Sequence, residues 1–212
     1  MKILGIDEAG RGCVIGPMVI SAVLIKSKEI EEFRKLGVKD SKKLTPKRRR
    51  KLAKEIKRLA VDFRIMLHQP KEIDLTSLNE LDLQSIVKLI DEFQPAKAIF
   101  DVPTHPGGVR RFVQSVDLRI KQKTELIGEN KADEKYPIVS AASILAKVKR
   151  DRIIEDLKEE FGDFGSGYMS DPKTQKFLKD CYQNNQTFPP IVRHKWSSVQ
   201  KFLVEQQRFI NI

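Results

Sequence analysis

"KILGIDEAGRGCVIGPMVISAVLIK" (residues 2–26) sets two apolar runs on either side of a glycine-rich connection. The first, "KILGID" (2–7), closes on an acid, and the second, "PMVISAVLIK" (17–26), is β-branched and begins after Gly16. Apolar, β-branched runs bounded by glycine and proline read as strands, and so tight a connection makes them an antiparallel pair. A helix should follow at 27–37, with Ser27 as cap, Glu29 and Glu31 in the first turn where the helix dipole favours anions, and Gly37 as the stop. Within 40–60, Thr45 and Pro46 give a second start signal, and Leu52, Ile56 and Leu59 recur at helical spacing.

Downstream, strands and helices alternate. "VDFRIMLHQ" (61–69) reads as a strand, 77–93 as an amphipathic helix, and "KAIFDV" (97–102) as a strand broken by Pro103, Pro106, Gly107 and Gly108. A helix over 108–116 and a strand at "LRIKQ" (118–122) complete the expected sheet, and helices at 136–162, 171–183 and 197–207 finish the chain. This order predicts an α/β fold, a mixed sheet sandwiched by helices with an antiparallel pair at its start. "FGDFGSGYMSDP" (161–172) would be the hinge to a helical C-terminal part, giving domains 1–162 and 163–212.

Lys and Arg number 40 against 29 Asp and Glu in 212 residues, a formal net charge of +11. Such an excess favours a polyanionic partner, nucleic acid before membrane. Cys13 and Cys181 lack any CxxC or Cys/His companion, which argues against structural zinc and fits a reduced cytoplasmic setting. No run approaches membrane-spanning length, and "MKILGIDEAG" turns acidic too soon for a signal peptide.

Four acids stand out. Asp7 and Asp101 close predicted strands, Glu8 follows Asp7, and Asp133 in "ENKADEKYP" precedes the long helix. The carboxyl ends of neighbouring strands in an open α/β sheet converge on ligand sites. Acids gathered there repel unless cations fill the gap, and oxygen-only ligands select Mg²⁺ or Mn²⁺. Two such ions about 4 Å apart serve phosphodiester hydrolysis. Strand-end aspartates equally serve as turn formers and helix caps, so spacing alone leaves both readings open.

Two loops invite the same double reading. Gly10, Arg11 and Gly12 either let a sugar-phosphate backbone approach or simply turn the chain. Tyr168 in "GSGYMSDP" either stacks on a nucleotide or anchors the hinge. His68, His105 and His194 share no metal-binding spacing and read as structural, and Trp196 reads as a core anchor for the last helix. Lys147 and Arg150 stay outside the candidate site.

"GIDEAGRG", "DSKKL", "FDVP", "KADEKYPIVSAASILAKVKRD" and "GSGYMSDP", in that order, span residues 5–172. Together they resemble type 2 ribonuclease H, its archaeal and eukaryotic branch especially. The resemblance implies a ribonuclease H-like fold with a five-stranded mixed sheet flanked by helices and a helical C-terminal part. It implies Asp7, Glu8, Asp101 and Asp133 as metal-binding catalytic acids, two Mg²⁺ or Mn²⁺ ions assembling with substrate, and Gly10, Arg11 and Gly12 reading the ribonucleotide through its 2′-OH and flanking phosphates. Tyr168 would stack on the deoxyribose that follows. The implied reaction is endonucleolytic hydrolysis 5′ to a ribonucleotide, in RNA/DNA hybrids or in DNA duplexes with embedded ribonucleotides, leaving 3′-hydroxyl and 5′-phosphate ends.

Cys13 and Met169 stand where many members carry proline, and a buried inert thiol is the expectation for Cys13. Lys42 and Lys43 fit phosphate contacts, whereas Lys47, Arg48, Arg49, Arg50 and Lys51 belong to a solvated helix face. The chain is expected to act as a monomer, with a candidate clamp-binding segment near "QQRFI" (206–210). A duplex-binding protein without catalysis would share the basic charge but gives no reason to keep four acids where phosphates approach. A nucleotide hydrolase is disfavoured, since no GxxxxGK[ST] loop occurs.

Overall fold

The computed structural model describes residues 1–38 and 44–210, with side chains as far as residue 205. Its sheet has five strands in the order β3-β2-β1-β4-β5. β1 (Lys2–Ala9) runs antiparallel to β2 (Met18–Lys26) with Asp7 opposite Ser21. On its other side β1 pairs in parallel with β4 (Lys97–Asp101), which pairs in parallel with β5 (Glu125–Glu129). β3 (Asp62–His68) forms the opposite edge. The mixed sheet and its antiparallel opening pair are therefore as the sequence implies.

Nine helices are described: α1 (Ile30–Lys35), α2 (Pro46–Leu59), α3 (Pro70–Leu75), α4 (Leu78–Phe93), α5 (Val109–Asp117), α6 (Ala132–Lys135), α7 (Pro137–Phe161), α8 (Pro172–Asn185) and α9 (Ser197–Ile210). α2 starts where its cap demands, since Thr45 Oγ1 accepts the Arg48 N–H at 3.3 Å and Pro46 takes the first helical position. Its Leu52, Ala53 and Ile56 are buried, and its cations Lys47, Arg48, Arg50 and Lys51 are exposed. Among the described residues no helix is long and apolar enough to cross a membrane.

One strand lies elsewhere than expected. "LRIKQ" (118–122) is not in the sheet; the amides of Leu118, Arg119 and Ile120 bond to the carbonyls of Gln114 and Val116, so this stretch finishes α5, and Leu118 is 86% exposed. The fifth strand is "ELIGE" (125–129), selected by its parallel register with β4. Two short helices were also unforeseen. α3 is secured by reciprocal capping between Gln69 and Glu72, and α6 occupies part of the acid-bearing stretch before α7.

The chain forms two compact units, one of Met1–Ala9, Val19–Met66 and Leu78–Lys149, the other of Gly10–Met18, Leu67–Ser77 and Arg150–Ile212. In the first, Ile3, Val23, Ile25 and Ile99 of the sheet pack with Phe33, Ile56, Val139, Ala142 and Leu145. Each such fully buried aliphatic side chain contributes about 1.5–3 kcal/mol. α7 approaches β1 so closely that a Cβ on Gly5 would lie 2.6 Å from the Ile138 carbonyl carbon and oxygen. Only glycine fits there. In the second unit, Val14, Ile15, Phe164, Leu178, Tyr182, Phe188, Val192 and Val199 form a separate core, with Trp196 packed against it.

Candidate functional site

The β1–β4 register ends with Ile6 beside Phe100, so the next residues, Asp7 and Asp101, stand on neighbouring strands at their carboxyl ends. Glu8 follows, and Asp7, Glu8 and Asp101 each offer a carboxylate oxygen, all within 4.8 Å of one another. Asp7 is buried, while Glu8 and Asp101 keep partial access to solvent. Asp101 Oδ1 also accepts the Ala132 N–H at 2.7 Å, which ties the end of β4 to the start of α6 and brings Asp133 near. Asp133 is buried and stands outside the three-acid set, yet its charge reaches Asp7.

The electrostatics of this group are unfavourable as they stand. Burial first, then the charge of Glu8, push the Asp7 carboxyl well above the usual carboxylate range; a hydrogen bond from Ser143 of α7 opposes this, and Asp101 and Asp133 add to it. Ser21, opposite Asp7 in the register, has a buried hydroxyl with no hydrogen-bond partner among the described residues. A cavity of about 10 Å³ lies between Asp7, Glu8, Asp101, Asp82, Ile86 and Pro103. Repelling carboxylates around so small a space fit a hard divalent cation, and the donor set contains no nitrogen or sulfur to favour zinc or copper.

Asp82 was missed by sequence reasoning. It lies on α4, is 2% exposed and lines the same cavity as the acids. The signal was present: an acid set between Leu81, Leu83 and Ile86, the buried positions of an amphipathic helix.

The glycine-rich turn belongs to the second unit. Gly10 has φ +82°, and a Cβ there would lie 2.1 Å from Arg150 Nε and 2.8 Å from the Pro17 carbonyl oxygen. The fully buried Arg193 donates from Nη2 to Gly10 O (2.6 Å), from Nη1 to Arg11 O (2.8 Å) and from Nε to Gly16 O (3.1 Å). Its guanidinium lies 4.9 Å from the Trp196 ring centre. Burial pulls the Arg193 pKa down to about 10, which leaves it charged at neutral pH. Arg150 donates to Ile15 O (3.1 Å) and Pro17 O (3.3 Å).

Tyr168 stands against this turn. The amides of Val14 and Ile15 donate to Gly167 O at 2.7 and 3.3 Å, and the Tyr168 ring edge would be 3.5 Å from a Cβ on Gly12. Tyr168 remains 45% exposed. Its hydroxyl is raised above the ordinary range first by a hydrogen bond with Cys13 and then by partial burial. Cys13 is buried, as expected, but it is a neighbour of the tyrosine.

Histidines do local structural work: His105 Nδ1 accepts the Gly107 N–H at 3.2 Å, and His194 N–H donates to Asp74 at 2.8 Å. His68 is buried, with Nδ1 3.7 Å from Glu72. Lys42 and Lys43 lie outside the described residues, as do the side chains of 206–210.

Known proteins share this fold and much of this sequence. A family model described as Ribonuclease HII matches residues 4–199. The ribonuclease HII of Pyrococcus furiosus is 48% identical over 203 residues, covering 95% of this chain and 91% of that one. The crystal structure of ribonuclease H2 from Pyrococcus horikoshii OT3 superposes with a TM-score of 0.90 at 45% identity, covering 98% of this chain and all of that one. The RNase HII in a PCNA complex from Archaeoglobus fulgidus gives 0.84 at 41%, covering 94% and 96%. Sheet order and flanking helices define a ribonuclease H-like enzyme. Within that class, the chain belongs to the ribonuclease HII family.

Proposed function

We propose that the chain is a divalent-metal endonuclease that hydrolyses the phosphodiester 5′ to a ribonucleotide, in RNA/DNA hybrids and in DNA duplexes carrying embedded ribonucleotides, and leaves 3′-hydroxyl and 5′-phosphate ends. The observation that carries this reading is the meeting of Asp7, Glu8 and Asp101 oxygens within 4.8 Å in a member of the ribonuclease HII family. Asp7, Glu8, Asp101 and Asp133 would hold two Mg²⁺ or Mn²⁺ ions. When bound, such ions supply an activated water and stabilise charge on the leaving oxygen.

The chain's own groups supply position. Mutual repulsion among the clustered carboxylates favours a cation between them, and the scissile phosphate would add a further oxygen donor. Gly10, Arg11 and Gly12 present main-chain groups to the ribose 2′-OH and its flanking phosphates. Tyr168, half-exposed beside Gly12, stacks on the sugar that follows. Lys42 and Lys43 contact phosphates.

The net charge of +11 supports a polyanionic duplex as substrate. The Archaeoglobus relative was solved in a PCNA complex, which supports a sliding clamp as partner, with 206–210 as the docking segment. In this reading the enzyme works in the cytoplasm as a monomer in ribonucleotide excision repair and DNA replication.

A duplex with one ribonucleotide, labelled at its 5′ end and incubated with Mg²⁺ or Mn²⁺, tests the proposal. Cleavage immediately 5′ to the ribonucleotide, with a product that a polymerase extends, is expected. Metal-independent cleavage, or a 2′,3′-cyclic phosphate end, would refute it.

A further inference from the structure

The reading of the ribose is ascribed above to Gly10, Arg11 and Gly12, yet a glycine-flanked turn has no stiffness of its own. Its shape must be imposed. One buried group reaches the turn itself: Arg193, whose three donating nitrogens all end on carbonyls of the 10–16 segment, at 2.6 Å from Gly10 O, 2.8 Å from Arg11 O and 3.1 Å from Gly16 O. A guanidinium is planar and donates in a fixed fork, so three simultaneous acceptors fix the three carbonyls relative to one another.

The consequence follows from peptide geometry. No cis peptide occurs among the described residues, and in a trans peptide the C=O and the following N–H point in opposite directions. With the Gly10 and Arg11 carbonyls turned onto Arg193, the Arg11 and Gly12 N–H groups are turned away from it. Two successive amides directed to one side, after a residue at φ +82°, make a concave donor pair of the kind that receives an oxygen anion or hydroxyl. The charge behind the carbonyls polarises both peptides in the same sense.

Rigidity is built in around this fork. Trp196 stacks on the guanidinium at 4.9 Å, and the Arg193 N–H donates to Val14 O at 2.9 Å, so main chain and side chain grip the same segment. Arg150 holds the carbonyls of Ile15 and Pro17, and its side chain occupies the space a Cβ on Gly10 would need.

We infer that Arg193 is a positioning residue for ribose recognition: it locks the peptides of Gly10 and Arg11 so that the next two amides form a preset donor pair for the 2′-hydroxyl. This deepens the proposed reading of the turn and rests on it. Lysine is the telling replacement. It keeps the charge but has one nitrogen, which cannot serve three carbonyls set apart along the turn.

The test measures binding in EDTA, by fluorescence anisotropy, of two short duplexes alike except that one carries a single ribonucleotide. Wild type, R193K, R193Q and G12A are compared, each at a temperature where circular dichroism shows it folded. R193K decides if R193Q does not fold. Wild type should prefer the ribonucleotide duplex, and both G12A and R193K should lose about three- to tenfold of that preference while the all-DNA affinity moves less than about twofold, the loss expected when a neutral hydrogen bond to the 2′-hydroxyl goes. Loss of preference in G12A with R193K unchanged would overturn the inference and leave the reading of the turn intact. Equal weakening for both duplexes in R193K would reduce Arg193 to a structural role and also overturn it. No preference in wild type would remove the reading itself and the inference with it.

Discussion

Asp7 and Asp101 stand side by side at the carboxyl ends of β1 and β4, one residue beyond the Ile6–Phe100 pair, and together with Glu8 bring three carboxylate oxygens within 4.8 Å. If these oxygens hold the metal ions, Asp7→Asn removes charge without changing shape. Cleavage should fall by more than about 100-fold, beyond the loss usual for a mere neighbour of a metal ligand. Duplex affinity in EDTA should hold or rise, since a repelling charge has gone. Single-turnover kinetics alongside anisotropy will separate the two.

The raised Asp7 carboxyl makes a prediction about stability. From the usual aspartate range up to the elevated value, the folded protein keeps a proton that the unfolded chain has released, so metal-free stability is fullest below this window and falls as pH rises through it. Other carboxylates, such as Asp171, are shifted down and act in the opposite sense, so the difference between wild type and D7N is the quantity to measure. Thermal melts in EDTA across this range should show D7N gaining on wild type as pH rises, and Mg²⁺ should narrow the gap. A constant difference would contradict the account of Asp7.

Gly5 is a packing requirement. Because the atoms a Cβ would meet are the Ile138 backbone carbon and oxygen at 2.6 Å, relief needs movement of α7 against β1. Gly5→Ala should cost at least about 1–3 kcal/mol, the range for overpacked cores, read as a lowered denaturant midpoint.

Tyr168 separates ring from hydroxyl. Tyr168→Ala should weaken binding at an RNA-to-DNA junction more than at an all-DNA duplex, whereas Tyr168→Phe keeps the ring that packs on the sugar and loses only the Cys13 contact. Affinities for junction and all-DNA duplexes will distinguish them. Equal loss in both variants would place the hydroxyl, not the ring, in recognition.

The basic residues can be ranked by salt. Alanine at Lys42 and Lys43 should each lower the slope of log affinity against log salt by about 1, as for a lost phosphate contact. The exposed α2 cations Lys47, Arg48, Arg50 and Lys51 should leave that slope nearly unchanged.

Much of the sheet and the acid trio was legible because each signal was local. An apolar run, an acid and a breaker in succession mark a strand end, and the parallel register then joins Asp7 to Asp101. The fifth strand was misplaced because "LRIKQ" alternates as a strand should, while "ELIGE", with a glycine and flanking glutamates, shows its nature only when paired with β4. α3 was hidden by its length of six residues. Asp82 sat inside a helix read for its apolar stripe, so its buried carboxyl went unnoticed. Arg193 carried no local mark at all, since its partners lie at residues 10, 11 and 16 and only folding brings them together.

The central claim, that remote carboxylates share divalent ions around a scissile phosphate, is tested most directly by anomalous diffraction at the manganese edge. Crystals of the protein with Mn²⁺ and a duplex whose ribonucleotide linkage resists hydrolysis should give two peaks within coordination distance of Asp7, Glu8 and Asp101, and the D7N variant should lose at least one. Manganese density away from these three side chains, or two full peaks in D7N, would contradict it.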